Sequence, residues 1–245
     1  MAADFPEWRR WLGAAIDIVY ARHCVACGAS VEVEHGHLCW ECRRTMELVV
    51  EPFCSRCGDP ADGMVQHEYR CSACCDREPA FALARSAVRY RGAARHMIQS
   101  FKYGNMPCLV PELAELLLAT WQAHCVGRRV DLVTCVPLHT KRERTRGYNQ
   151  AALLGRQLAR WLHTDFDDRR LMRSRETRTQ TDLDAGERRR NVKQAFTARA
   201  DGWTAGRTLL LVDDVMTTGA TVRECASTLV DAGAKEVLVL TVARG

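Results

Sequence analysis

Between Leu209 and Thr221 the chain reads Leu-Leu-Leu-Val-Asp-Asp-Val-Met-Thr-Thr-Gly-Ala-Thr, and no other stretch constrains the fold as tightly. An aliphatic run leads straight into two adjacent carboxylates, the pattern of a strand buried on both faces. From Arg223 to Ala232 apolar positions recur at helical spacing, closed by Gly233 as a C-cap. Met216 to Thr221 therefore joins a strand end to a helix start, where backbone N–H groups lack intrahelical acceptors and the helix dipole attracts an anion. Thr217, Thr218 and Thr221 add hydroxyl donors, and Gly219 lets a ligand approach the backbone closely. Asp213 and Asp214 stand just before this cup, placed to accept hydrogen bonds from sugar hydroxyls or to hold a hydrated metal ion. No Gly-Lys-Ser/Thr follows the glycine, which excludes a Walker loop.

The surrounding pattern extends this unit into an α/β fold. Strands are expected over Phe81–Tyr90, Asp131–Val136, Arg207–Val212 and Val237–Val242, and helices over Ala93–Phe101, Pro111–Cys125 and Tyr148–Leu162. Strands alternating with helices imply βαβ units and a mostly parallel sheet with flanking helices. The 245 residues suffice for one such domain plus a small appendage, and 47% hydrophobic content supports a sizeable core. Pro79 marks the expected boundary, with an N-terminal helix and cysteine-rich part over 1–78 and the α/β part over 79–245. No apolar run approaches the roughly 20 residues a bilayer span needs. Met1 to Tyr20 reads as an amphipathic helix packed on the body, without a signal-peptide core. A cytoplasmic protein without membrane insertion is expected.

Eight of the 13 cysteines fall into four Cys-x-x-Cys pairs: Cys24/Cys27, Cys39/Cys42, Cys54/Cys57 and Cys71/Cys74. Each pair forms a knuckle that aims two thiolates at one ion, and two knuckles complete a tetrahedral structural zinc site. The pairs thus predict one or two Zn2+, with sequential and interlaced pairing both open. Disulfides fit poorly with a reducing cytosol, and four repeated pairs without βαβ context argue against a thioredoxin-like site. Gly28 and Gly58 follow the second cysteine of a pair, where a knuckle turns. Cys75 is a spare ligand, and His23, His35, His37 and His67 read as bystanders. Cys108, Cys125, Cys135 and Cys225 read as small core residues. The ribbon region has no basic stripe with interleaved aromatics, so structural zinc is preferred there over direct DNA contact.

A second strand-to-helix passage, residues 136–150, reads as a basic loop holding Lys141, Arg142, Arg144 and Arg146, with Gly147 before the next helix. Ligands of open α/β sheets sit beyond the carboxyl ends of strands, so the basic loop and the acid-threonine loop are expected to face one crevice. One would hold a sugar phosphate and the other a pyrophosphate, by bidentate arginine contacts. From Lys141 to Lys193 there are 15 Lys+Arg against 8 Asp+Glu, a surplus of +7 in a chain whose formal net charge is +5. That concentration points to a local anionic ligand. Residues Glu176 to Asn191 are polar and aperiodic, and Thr177–Asn191 reads as a lid that excludes water from a reactive intermediate.

The Asp213–Thr221 run resembles the phosphoribosyl pyrophosphate loop of type I phosphoribosyltransferases. That resemblance implies paired acids on the ribose 2′ and 3′ hydroxyls and a following loop on the 5′-phosphate. Nearly the whole chain from Cys24 onward is similar to the ComF family, which joins a double zinc ribbon to a type I phosphoribosyltransferase-like domain. The similarity rests on Pro137-Leu138, Arg142, Arg146 to Ala151, Thr179/Gln180, Glu187-Arg188, Asn191-Val192, Phe196, the Asp213–Thr221 loop and Lys102. It implies binding of phosphoribosyl pyrophosphate with Mg2+ and a link to DNA uptake in natural competence.

Asp213, Asp214 and Arg146 are then the expected catalytic residues. Lys102, Arg142, Gly147, Tyr148, Asn149, Val215, Met216, Thr217, Thr218, Gly219, Ala220 and Thr221 are expected to bind substrate. One reading is a pentosyl-transferring enzyme, in which a nucleophile displaces pyrophosphate from C1. The other is a non-catalytic module that senses the sugar pyrophosphate and grips single-stranded DNA, with DNA-uptake or recombination proteins as partners.

Overall fold

The computed structural model describes residues 22–31, 36–61, 63, 65, 68–174 and 194–245. The expected helix over Met1–Tyr20, His35 and His67 lie outside the described residues, as does the lid over Thr177–Asn191. So do Thr179, Gln180, Glu187, Arg188, Asn191 and Val192 of the family similarity. In chain order the elements are α1 (Trp40–Arg44), α2 (Ser72–Asp76), β1 (Leu83–Arg89), α3 (Gly92–Tyr103), α4 (Val110–His124) and β2 (Leu132–Cys135). There follow α5 (Thr140–Arg146), α6 (Gln150–Trp161), β3 (Phe166–Asp167), β4 (Leu171–Arg173), β5 (Phe196–Ala198), β6 (Thr208–Met216), α7 (Ala220–Asp231) and β7 (Glu236–Arg244).

Five strands form one sheet in the order β1-β7-β6-β2-β3, and every pairing in it is parallel. The central strands β6 and β7 run as aliphatic stretches because both their faces are covered. Alternation sends Leu210, Val212, Leu238 and Leu240 into a core shared with α3, α4 and α6, while Leu209, Leu211, Val237 and Val239 pack on the α7 side. β4 and β5 pair antiparallel as a separate hairpin.

The cysteine-bearing segments sit against both cores. Cys24 and Leu38 join the α3–α4–α6 side, and Cys54, Cys57, Cys71 and Cys74 join the α7 side. The stretch around Leu48 pairs antiparallel with β1 through the Val49 N–H to the Ala87 carbonyl and the Arg89 N–H to the Glu47 carbonyl. This covers an edge strand that would otherwise expose its ladder groups.

Three expectations change. Residues 140–146, read as loop, form the helix α5: His139 caps its start by accepting from the Lys141 N–H, and Gly147 ends it in the left-handed region at φ 81°. No residue of α5 is buried, so it carries no apolar periodicity by which sequence could show it. β6 continues through Met216, so both acids lie in the strand and the connection to α7 shrinks to Thr217–Gly219. Cys108, read as a core residue, is exposed on a 3-10 turn over Pro107–Leu109.

Candidate functional site

After β2 the chain returns through α6 to β3 on one side of the sheet, and after β6 it returns through α7 to β7 on the other. Neighbouring strands whose connections diverge leave a crevice beyond their carboxyl ends. A cleft of about 230 Å³ opens there, lined among others by Tyr90, Lys102, Val136, Arg142, Arg146, Arg173, Asp213, Asp214, Thr217 and Thr221. The two passages singled out in sequence thus meet at one site.

Adjacent strand residues point to opposite faces. Asp214 lies on the α3 side, where Lys102 Nζ approaches its Oδ1 at 2.7 Å. Burial works to lower the Lys102 ammonium, but the charge of Asp214 and their hydrogen bond outweigh it and raise its pKa. Asp213 accepts from the Asp214 N–H at 2.8 Å. Burial, reinforced by the charge of Asp214, pushes its carboxyl up to about 7. Burial and the neighbouring charge of Arg142 lower the pKa of Arg173.

The loop between β6 and α7 is compact. Gly219 adopts φ 72°, and a Cβ there would stand 2.7 Å from Met216 Cε, so only glycine fits without movement. The Thr218 hydroxyl accepts from the Ala220 N–H at 3.4 Å, a long capping contact at the start of α7. Met216, Gly219 and Ala220 are buried and shape the loop, whereas Val215 lines the cleft.

On the opposite wall Arg146 donates to Gln150 Oε1 at 2.9 Å and stacks over the Tyr103 ring at 5.0 Å, which fixes its fork toward the cleft. Three other predicted site residues serve the backbone. Gly147 supplies the left-handed turn after α5. The Tyr148 hydroxyl donates to the Phe101 carbonyl at 2.5 Å. Asn149 caps α6 by accepting from the Ala151 N–H at 3.0 Å and donates to the Val136 carbonyl at 3.1 Å.

Sequence reading missed Tyr90, Tyr103 and Arg173, which line the cleft. Tyr90 follows the seven-residue β1 and Arg173 ends β4, and neither carries a motif.

The eight paired cysteines form two tetrads, Cys24/Cys27/Cys39/Cys42 and Cys54/Cys57/Cys71/Cys74, with the sulfurs of each within 4.8 Å of one another. Pairing is therefore sequential. A tetrahedron with Zn–S near 2.3 Å has edges of about 3.8 Å, and the Cys27–Cys39 and Cys57–Cys71 sulfurs lie 3.7 and 3.5 Å apart. Both knuckles use one backbone pattern: the Cys24 N–H bonds the Ala29 carbonyl and the Gly28 N–H the Cys24 carbonyl, repeated by Cys54/Asp59 and Gly58/Cys54. Burial acts to raise the Cys54 thiol, but amides from Cys57, Cys71 and Arg56 outweigh it and bring it down to about 7, whereas burial pushes the Cys57 and Cys74 thiols up. The residues fit two structural zinc ions. Cys75 is exposed outside both tetrads, and His37 bonds Glu112 Oε1 at 2.7 Å instead of joining a cluster.

Comparison with known proteins agrees with this two-part construction. A double zinc ribbon domain matches residues 15–75, and a phosphoribosyl transferase domain matches residues 149–245. Competence protein F of Haemophilus influenzae is 33% identical over 225 residues, covering 90% of this chain and 96% of its own. The chain belongs to the ComF family. DNA utilization protein YhgH of Escherichia coli K12 is 32% identical over 224 residues, again 90% of this chain and 96% of that protein. Among solved structures, one described as the allosteric regulatory enzyme of purine biosynthesis aligns at 25% identity over 54% of this chain and 25% of that one, with a TM-score of 0.35. The ComF-family chain thus pairs a type I phosphoribosyltransferase-like parallel sheet with an N-terminal zinc-ribbon region. Among its described residues no helix is long and apolar enough to cross a membrane.

Proposed function

We propose that this ComF-family protein binds phosphoribosyl pyrophosphate with Mg2+ in the cleft between β2 and β6, in the service of DNA uptake. One observation carries the reading: the Asp213–Asp214 pair runs through Thr217–Gly219 into α7 and faces Arg142, Arg146 and Arg173 across one cleft. Ribose hydroxyls donate to the carboxylates. The 5′-phosphate takes the loop N–H groups and the hydroxyls of Thr217, Thr218 and Thr221. The pyrophosphate takes Arg142 and Arg146. Arg142 and Arg173 stand close enough for one charge to depress the other, which suits a site completed by an anion.

The acid pair offers hard oxygen donors and already attracts a cation, Lys102, so its chemistry fits a divalent ion bound with the ligand. Mg2+ bound there would supply charge neutralisation for the leaving pyrophosphate. Asp213 and Asp214 steady the ribose as positive charge develops at C1. The C1–O bond to pyrophosphate breaks as a nucleophile attacks, and Arg146 with Arg142 takes the departing charge. Lys102 balances the two acids before ligand arrives. The names of its relatives, competence protein and DNA utilization protein, support the link to DNA uptake. A cytoplasmic setting and a division into a zinc-ribbon part over 1–78 and a transferase-like part over 79–245 belong to the same reading.

Ligand that binds only the folded state raises its stability by mass action. Phosphoribosyl pyrophosphate with Mg2+ should therefore raise the melting temperature of the wild type and raise that of Asp213→Ala by less. No rise in the wild type at millimolar ligand contradicts the reading.

A second reading, a non-catalytic sensor that also holds single-stranded DNA, is favoured by α5, which leaves its basic residues unburied beside the cleft. Pyrophosphate release with a panel of bases and amines marks an enzyme, and salt-sensitive retention of single-stranded DNA without release marks the module.

A further inference from the structure

The second cysteine tetrad and the phosphate loop are joined by two arginines that neither the metal chemistry nor the ligand chemistry requires. Arg244, the penultimate residue, has its side chain 8% exposed. Its Nε and one terminal nitrogen donate to Asp59 Oδ1 at 3.1 and 2.8 Å. Asp59 lies two residues past Cys57, and its own carbonyl closes the knuckle by accepting from the Cys54 N–H at 2.7 Å. The other terminal nitrogen of Arg244 donates to the Met216 carbonyl at 3.2 Å and to the Thr217 carbonyl. The Gly245 N–H adds a bond to the Met216 carbonyl at 3.0 Å.

In a planar trans peptide the C=O and the following N–H point in opposite directions. Drawing the carbonyls of Met216 and Thr217 toward Arg244 therefore turns the N–H groups of Thr217 and Thr218 away from it, outward from the ribbon. From the other side Arg223, in the first turn of α7, donates to Cys74 Sγ at 2.9 Å and to the Arg77 carbonyl at 2.8 Å. The knuckle of the first tetrad meets the body elsewhere, through the His37 N–H and ring on Glu112 of α4.

We propose that Arg244 is a positioning residue, held by Asp59 of the second zinc knuckle, that sets the peptide orientation of the phosphate loop, so that the second zinc site and the anion site form one mechanical unit. The proposal rests on the phosphate-binding reading of the loop, and its partner group is the structural zinc of the second tetrad alone. An Arg fork bonded on one edge to a carboxylate and on the other to two carbonyls is a geometry that lysine does not reproduce.

Amide hydrogen exchange of the full chain, without ligand, tests it, with zinc content measured on the same samples. Arg244→Lys and Asp59→Asn should each keep two zinc ions per chain and speed exchange of the Gly245 and Ala220 amides, which bond the Met216 carbonyl and the Thr218 hydroxyl, by about tenfold or more, as loss of a charge-assisted hydrogen bond implies. The double variant should be no faster than either single one, because the two residues act as one device. Affinity for phosphoribosyl pyrophosphate with Mg2+ should fall by a similar factor. Cys71→Ser should drop zinc to one per chain and loosen the same residues. His37→Ala, which cuts the tie of the first ribbon, should leave them unchanged. Wild-type protection in both Arg244→Lys and Asp59→Asn overturns the proposal, as does equal loosening by His37→Ala. Because exchange is read without ligand, failure of the wild type to bind phosphoribosyl pyrophosphate sinks the ligand assignment and leaves the tie to be judged on exchange alone.

Discussion

Asp213 and Asp214 are neighbours in sequence but keep different company. Asp214 is neutralised by Lys102, whereas Asp213 faces the α7 side, with its carboxyl raised to about 7 by burial and by Asp214. A carboxyl whose folded pKa exceeds its unfolded value lends its full share of stability only below the unfolded pKa. It loses that share as pH climbs through the folded value. Asp213→Asn should therefore raise the melting temperature at pH 8 and change it little at pH 4, while ligand binding falls. Equal melting shifts at both pH values would contradict the burial argument. The paired acids were legible because their order within strand, loop and helix is itself the signal. Arg173 was not: it acts through the hairpin of β4 and β5, which brings it to the cleft from far along the chain.

Among the elements, the β6–loop–α7 unit concentrates the constraint. Gly219 holds φ 72° with Met216 Cε where a side chain would go. Gly219→Ala should cost about 1–2 kcal/mol of stability, the range for a non-glycine residue forced into the left-handed region. It should also weaken phosphoribosyl pyrophosphate binding by about tenfold, since an alanine strained at φ 72° draws the loop away from this conformation. Denaturant melts and titration of the same sample check both effects, and unchanged affinity would show that the loop does not touch ligand. Long aliphatic strands such as β6 and β7 were visible in sequence, with ends short by a few residues because Asp213 to Met216 mixes acids into a strand. α5 was invisible because its stability comes from caps at His139 and Gly147 instead of a buried face.

At the scale of the whole molecule, two cysteine tetrads flank the sheet on different cores, and each couples the N-terminal region to it by a different contact. Purified protein should carry two zinc ions per chain by mass spectrometry of the metal. Acidification should release them as thiolates take up protons. One ion or none would break the tetrad assignment. Sequence spacing established that zinc knuckles were present but left their pairing open, since adjacent and interlaced partners satisfy the same spacing. The approach of the four sulfurs of each tetrad to within 4.8 Å of one another resolves it. The central claim is that the cleft holds a phosphorylated ribose and its pyrophosphate. Calorimetric titration of phosphoribosyl pyrophosphate with Mg2+ measures it directly. Wild-type protein should give one site per chain, with affinity at least tenfold weaker in Asp213→Ala and in Arg146→Ala. Wild-type heats indistinguishable from dilution, or unchanged affinity in Asp213→Ala, would contradict it.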